Sequence, residues 1–480
     1  MKMTCLLQGS DSVPVLFRPF ALKMEELGLP AIVINLFKCY YSQLLYGAQG
    51  KLSDREILPV GDREVRLYDS LHEYAPVGKE TMSKVAVIKL NGGLGTSMGL
   101  EKAKSLIPIK DGQTFLDIIL LQMEKLRTKY DTGMPLVLMN SFKTHFDTMV
   151  EVEGFANEGT GIPLAFVQHR YPKILTRDLS PAKWPSNPEL EWNPPGHGDI
   201  YTAMVTSGML SLLLESGYQY AFISNSDNLG AVMDESILGY MVREEITFLM
   251  EVARRTSSDK KGGHLAKLLK NGRYALREVA QCPENEIESF GDIQKYRYFN
   301  TNSIWLDLKA FEKVFVDNLM MPLDLILNTK TLDPRSPSSP EVIQLETAMG
   351  SAITSFDDAA ILQVPRTRFA PVKTTSDLLL VMSDCYLRTK DETIVPNPER
   401  TTPVPEIELD QSFYKNFDDF QLRLPLGAPS LINCDALRVE GDILFDVPVR
   451  LEGAVHLVNT GAQRSIREIS PLTGTVVIES

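Results

Sequence analysis

The sequence predicts an α/β protein: a sheet covered by helices on both faces, followed by a smaller strand-rich region. Three observations carry this. Short β-branched or apolar runs alternate with longer helical patterns over most of the chain. The first of these runs ends in a dense cluster of glycines. Beyond residue 400 helical periodicity gives way to short apolar segments with glycine at their corners.

Residues 1–80 read as mostly helical and packed on the larger central domain. Phe20, Leu22, Met24 and Leu27 precede the break Gly28-Leu29-Pro30, and 32–45 is long, apolar and aromatic, as suits a helix laid against a larger body. Val85-Ala86-Val87-Ile88 is a buried strand. Further strands are expected at 136–139, 220–223 and 248–252, and helices at 115–126 and 200–214. The Pro/Ser-rich stretch 333–340 reads as a surface loop, and 396–405, with four prolines, as a linker. After it, Val439-Glu440-Gly441-Asp442-Ile443 and Leu451-Glu452-Gly453-Ala454-Val455 repeat at a spacing of twelve. That pattern suits a small β-solenoid, with an antiparallel meander as the competing reading. The expected division is 1–80, 81–400 and 401–480.

A chain of 480 residues has room for about three domains at ~150 residues each. Hydrophobic residues at 44% and charged residues at 23% exclude wholesale disorder. The formal net charge of −13 argues against nucleic acid or an anionic membrane as partner. A phosphate ligand would therefore need positive potential concentrated locally. The cysteines (Cys5, Cys39, Cys282, Cys385, Cys434) are odd in number and nowhere form a CxxC pair, so free thiols in a reducing compartment are expected. With neither a signal-type apolar run nor a span of ~20 apolar residues, a soluble cytoplasmic protein is expected.

The densest chemical signal is Leu90-Asn91-Gly92-Gly93-Leu94-Gly95-Thr96-Ser97-Met98-Gly99, at the end of the first strand. Glycines let backbone N–H groups approach and face an anion, and ligands in open α/β sheets bind at strand C-terminal ends. Met98 stands where G-x-G-x-x-G needs glycine, and Leu100 where G-x-x-x-x-G-K needs lysine, which disfavours a dinucleotide oxidoreductase or P-loop NTPase. A plain structural turn is the alternative. Lys104 follows at a distance suited to a triphosphate.

Three further clusters stand out. Pro194-Pro195-Gly196-His197-Gly198-Asp199 is a rigid loop with glycine on either side of a histidine. Ser224-Asn225-Ser226-Asp227-Asn228 offers a carboxylate and neutral oxygens at a strand end, suited to Mg²⁺ shared with a ligand's phosphates; an Asx-rich turn explains the same composition equally well. Arg366, Arg368 and Lys373 form a local positive patch ahead of a helix that Thr375 or Ser376 would cap.

These blocks, together with Leu138-Met139-Asn140-Ser141-Phe142, Gln168 within 166–171, and Phe299-Asn300-Thr301-Asn302, occur in one order between about residues 84 and 385. In that order they resemble the eukaryotic-type UTP–glucose-1-phosphate uridylyltransferase (UDP-glucose pyrophosphorylase) family. The resemblance implies the reaction of UTP with glucose 1-phosphate to UDP-glucose and pyrophosphate. It also implies a Rossmann-like nucleotidyltransferase domain with a mixed sheet, followed by a small C-terminal left-handed β-helix, and Mg²⁺ as cofactor. Carried over, it places Leu90, Asn91, Gly92, Gly93, Met139, Gln168 and Gly196 at the nucleotide and Asp227 at the metal. His197, Asn225, Ser226, Gly263, Glu278 and Asn300 fall on the sugar-phosphate side, and Lys104 and Lys373 act on the reacting phosphates.

One departure is that Lys102-Ala103 stands where the family usually has Gly-Pro. Other sugar 1-phosphates (N-acetylglucosamine, galactose, or a broad range) and a non-catalytic UTP-binding regulator are the competing functions. The apolar segment Gly474-Thr475-Val476-Val477-Ile478 could pair with a second copy, giving a homo-oligomer through the C-terminal domain.

Overall fold

The computed structural model describes residues 12–256, 259–467 and 471–478; Cys5, and that part of the helical expectation covering 1–11, lie outside them. Helices α1 (Ser12–Glu26) and α2 (Ala31–Leu45) flank the expected break, where Gly28 takes φ 72° and Pro30 caps α2. Their aromatic faces (Phe20, Phe37, Tyr41) pack with Tyr171, Trp192 and Leu345. Residues 46–80 depart from the helical expectation. Ile57–Pro59 pairs antiparallel with His264–Leu268, and β1 (Arg66–Leu67) joins an edge of the central sheet. These are short edge segments with one side buried and one exposed, as Ile57 and Leu58 are, so no helical periodicity could mark them. Only α3 (Ala75–Thr81) adds α-helix there.

The remaining main strands of the body are, in chain order, β2 (Val85–Asn91), β3 (Leu136–Asn140), β4 (Ala165–Val167), β5 (Tyr220–Asn225), β6 (Phe248–Arg254), β7 (Tyr298–Asp307), β8 (Leu325–Thr331), β9 (Glu341–Thr347) and β10 (Ala359–Gln363). The central sheet runs β1-β10-β6-β7-β5-β2-β3-β4 and is mixed: β7 is antiparallel to β5 and β6, and the other neighbours along this path are parallel. All seven residues of β2 are buried, and its side chains alternate between two cores. Val85 and Val87 meet α4 (Phe115–Tyr130); Ala86 and Ile88 meet α5 (Ile200–Thr206) and α6 (Met209–Glu215). The helix expected at 200–214 is two helices, interrupted at Gly208 with φ 78°. Later, α7 (Glu235–Arg243) and α8 (Thr375–Met382) join the first of these cores. The segment 333–340 is the tip of the β8–β9 hairpin.

In the C-terminal region β11 (Glu406–Leu409), β12 (Ser430–Glu440), β13 (Arg450–Val458) and β14 (Leu472–Val477) lie side by side, every pair parallel. Parallel pairing excludes the antiparallel meander. The repeat of twelve is not the structural step either: Leu437 lies beside Val455 and Val439 beside Leu457, a step of 18. Glycine placement misled that reading, because the register follows the buried side chains. Leu437, Val439, Val455 and Leu457 share one continuous core with α4, α7 and α8.

Among the described residues no helix is long and apolar enough to cross a membrane. The four described cysteines are buried and form no disulfide.

Candidate active site

The C-terminal ends of β2, β3 and β5 lie together, because Leu90 is in register with both Met139 and Asn225. At the end of β2 the Asn91 amide donates to Asn140 Oδ1 (2.8 Å) and Thr148 Oγ1 (2.9 Å), and its carbonyl accepts from Thr144 Oγ1. Leu90 and Met139 are buried in the sheet core. Three residues predicted at the nucleotide thus have side chains already committed to the scaffold: Leu90, Asn91 and Met139. Sequence could not separate a residue at a strand end from one aimed into the cleft.

Gly92 and Gln168 meet directly. A Cβ on Gly92 would sit 2.4 Å from Gln168 Nε2, so the glycine makes room for that amide. Gln168 is held by its backbone N–H to the Asn140 carbonyl (2.8 Å), while its side chain has no hydrogen-bond partner among the described residues. Next to Gly92, a Cβ on Gly93 would meet nothing within 4 Å, leaving open space above the turn.

The loop continues through a single 3-10 turn, Thr96–Met98, and returns so that Lys104 N–H donates to the Gly93 carbonyl (3.1 Å). Lys104 Nζ donates to Asp227 Oδ2 (2.5 Å) and to the Val372 carbonyl. The other carboxylate oxygen, Asp227 Oδ1, is buried without a hydrogen-bond partner among the described residues. An orphaned carboxylate oxygen in a partly buried site is the donor a divalent cation seeks. Among the described residues no three His, Cys, Asp or Glu side chains gather as a metal cage. The arrangement therefore fits a Mg²⁺ taking one carboxylate and completing its shell with ligand oxygens and water.

In the loop leading into α5, Gly196 takes φ 81°, ψ 172°. A Cβ there would lie 2.4 Å from the Thr347 carbonyl at the end of β9, and one on Gly198 would lie 2.4 Å from Thr347 Oγ1. The two glycines serve this close packing, which sequence alone does not reveal. His197 Nδ1 accepts from Met349 N–H (3.0 Å), and burial pushes its pKa down to about 4. The ring is neutral at pH 7, and with Nδ1 accepting, Nε2 carries the hydrogen as a donor.

Gly263, Glu278 and Asn300 also converge. A Cβ on Gly263 would meet the Glu278 carboxylate at 2.5 Å, and Asn300 N–H donates to the Gly263 carbonyl (3.1 Å). Burial raises the Glu278 pKa, and the Lys373 charge opposes that shift. Lys373 is exposed, and its carbonyl accepts from Ser97 Oγ (2.9 Å), which joins it to the glycine loop. Asn225 ends β5, and Ser226 N–H donates to the Leu90 carbonyl (3.1 Å).

The positive patch expected at 366–373 contracts to Lys373. Arg368 is buried in a bidentate pair with Glu251 (2.6 and 2.9 Å), and Arg366 pairs with Asp259 (3.1 Å). The helix cap also moves: Thr374, not Thr375 or Ser376, caps α8 in a reciprocal box with Asp377. Sequence reading missed two supports. Asp199 accepts from the backbone N–H of His169 (2.6 Å) and bonds its ring, tying the Gln168 strand end to the His197 loop. Buried Lys89 donates to Ser224 Oγ and to the Ala231 carbonyl (both 2.8 Å), bracing the Asp227 loop from below. Asp199 lay inside a motif already singled out; Lys89, in an apolar strand, carried no signal.

Comparison with known proteins gives a consistent result. Residues 34–452 match the family model described as UTP–glucose-1-phosphate uridylyltransferase. The chain is 40% identical over 442 residues to the UTP–glucose-1-phosphate uridylyltransferase of Musa acuminata, covering 91% of this chain and 92% of that one. It is 42% identical over 399 residues to that of Solanum tuberosum, covering 82% and 81%. Among solved structures, UDP-glucose pyrophosphorylase from Leishmania major superposes with TM-score 0.89 at 39% identity, covering 97% of this chain and 99% of that one. The protein from Trypanosoma brucei superposes with TM-score 0.87 at 39% identity, covering 97% and 100%.

Proposed function

The chain belongs to the UTP–glucose-1-phosphate uridylyltransferase family, and on that premise we propose how its cleft makes UDP-glucose and pyrophosphate from UTP and glucose 1-phosphate. The observation that carries the reading is the convergence of Lys104, Asp227 and the Lys373 segment at the mouth of the glycine loop. Gly92, Gly93 and the unpartnered Gln168 amide receive the uridine end, with Gly196 presenting backbone from the facing loop. His197 donates from Nε2 to the sugar phosphate, and Asn225, Ser226, Gly263, Glu278 and Asn300 line the glucosyl side.

The chemistry asks for no general base, because a sugar phosphate is already an anionic nucleophile at neutral pH. One of its oxygens attacks the α-phosphorus of UTP in line, the bond to the β-phosphate breaks, and pyrophosphate leaves with the electron pair. The obstacle is bringing two polyanions together in a cleft of an acidic protein. Lys104 and Lys373 offset that repulsion and stabilise the charge that develops on the leaving group. Asp227, whose Oδ1 has no hydrogen-bond partner among the described residues, would hold Mg²⁺, which would supply Lewis-acid charge neutralisation at the phosphates. Asp227 Oδ2 meanwhile keeps Lys104 in place. No covalent uridylyl-enzyme intermediate forms.

The deciding experiment is pyrophosphate release from UTP against a panel of sugar 1-phosphates. Glucose 1-phosphate is expected to be preferred; equal turnover of the N-acetylglucosamine or galactose ester would assign a broader enzyme, and no turnover with any would leave a UTP-binding regulator. Lys104→Ala and Lys373→Ala should each lose on the order of 2–4 kcal/mol of transition-state stabilisation. Near-normal kcat/KM in both would remove the assignment.

The parallel C-terminal strands are read as a left-handed β-helix, with 401–480 as its domain and 81–400 as the catalytic one. A cytoplasmic location is part of the same proposal, supported by the four described cysteines, which are buried and unbridged. The exposed outer strand β14 is read as a pairing edge for a second copy, a reading that a monomeric mass by light scattering would overturn.

A further inference from the structure

Asp227 and the segment 370–373 are distant in sequence, yet both must stand at fixed distance from Lys104. One side chain joins them. Asn228, beside Asp227, donates from Nδ2 to the Arg368 carbonyl (3.1 Å) and accepts at Oδ1 from Ala370 N–H (3.1 Å). It bonds the loop as a neighbouring strand would, and Asn228 and Pro371 form an isolated antiparallel bridge. The side chain is buried, so water cannot replace these bonds without opening the contact. Two residues on, Gly230 lies so close to the same segment that a Cβ would sit 2.4 Å from the Thr367 carbonyl. From beneath, Arg368 donates to the Val232 carbonyl (2.9 Å) while paired with Glu251.

We propose that Asn228 is a positioning residue: its amide stitches the Asp227 loop to the 368–372 backbone and so sets the spacing of Asp227, the Val372 carbonyl and Lys373 around the reacting phosphates. The Asn228 bonds do not reach the uridine side, where Gln168 N–H is held by the Asn140 carbonyl and the Asn91 amide bonds Asn140 and Thr148. Their loss should therefore appear in turnover more than in nucleotide recognition. This inference rests on the reaction proposed above, and the wild-type assay separates the two. An inactive wild-type protein overturns the reaction; an active wild type with a normal variant overturns only the stitch.

The test compares Asn228→Ala with Asn157→Ala, measuring pyrophosphate release from UTP and glucose 1-phosphate together with thermal unfolding. Asn157 is also a buried amide bonding two segments (Leu136 N–H and carbonyl, Ile162 carbonyl), far from the cleft along β3, so it reports loss of stability alone. For Asn228→Ala, kcat is expected to fall at least tenfold while KM for UTP changes less than threefold; for Asn157→Ala, Tm falls comparably and kcat stays within twofold. Gly230→Ala keeps the amide but wedges the segments apart, and should reproduce the kcat loss even if Asn228→Ala does not fold. Wild-type kcat in a folded Asn228→Ala, or in Gly230→Ala, overturns the proposal.

Discussion

Replacing Gly196 by alanine is the sharpest probe of the His197 wall. The residue sits at φ 81°, ψ 172°, a region open essentially only to glycine, so the backbone alone costs on the order of 1–3 kcal/mol. The new Cβ would lie 2.4 Å from the Thr347 carbonyl oxygen and 2.9 Å from its nitrogen. Both are backbone atoms, so no rotamer relieves the clash, and the loop must recoil by about 1 Å to reach ordinary contact. Recoil strains the bond from Thr347 N–H to the Pro195 carbonyl (2.8 Å), which is worth about 1 kcal/mol. Together the fold should lose roughly 2–4 kcal/mol. His197 is the next residue and moves with the loop, breaking its bond from Met349 N–H. A displacement of about 1 Å at a positioned group can cost about 10²-fold in rate. The assay is kcat/KM for glucose 1-phosphate at saturating UTP, with Tm in parallel. Gly198→Ala is the internal contrast: its backbone is not at positive φ, and its Cβ would meet side-chain atoms only (Thr347 Oγ1 at 2.4 Å, Leu323 Cδ1 at 2.8 Å, Thr347 Cβ at 2.9 Å), so it escapes the backbone cost and the loss should be smaller. A Gly196→Ala protein with kcat/KM within threefold of wild type and an unchanged Tm would refute the reasoning.

Three further outcomes are expected. Ala103→Pro should be accepted, because Ala103 already holds φ −57° and the neighbouring bridge uses the Lys104 N–H; stability should rise by about 0.4–1 kcal/mol, read by urea unfolding, and a fall would show that the loop needs the freedom it has. Gly93→Ala should leave Tm unchanged, since its Cβ meets nothing and its φ is not positive, yet weaken UTP binding severalfold by titration; unchanged affinity would move the nucleotide off this turn. Burial lowers the His264 pKa to about 3, so between that value and about 6.5 the unfolded chain binds a proton the fold does not, and stability drops as pH falls. The unfolding free energy of His264→Gln should therefore decline less steeply below pH 6, by up to about 1.4 kcal/mol per pH unit, and equal slopes would show that His264 titrates normally.

Local sequence determined a great deal here. Strand β2, the glycine loop, the strand end at Asp227 and the Gly-His-Gly loop were legible because each depends on neighbouring residues: β-branched runs prefer strands, and glycines permit close backbone approach. Their order along the chain was enough for the family resemblance. Tertiary contact decided the rest. Arg368 looked like part of a phosphate patch until Glu251, more than a hundred residues away in the chain, took its charge. Leu90 and Met139 bury their side chains in the sheet core and the Asn91 amide bonds Asn140 and Thr148, contacts that exist only in the fold. The glycines around His197 are fixed by Thr347, and the step of the C-terminal strands by which side chains share the core. Lys104 and Asp227 were each named from sequence, but only the fold pairs them and leaves Asp227 Oδ1 unpartnered. Residue type and spacing set what a segment can do locally; which charges are cancelled, and which polar atoms remain free for a ligand, depends on partners the chain brings together only when it folds.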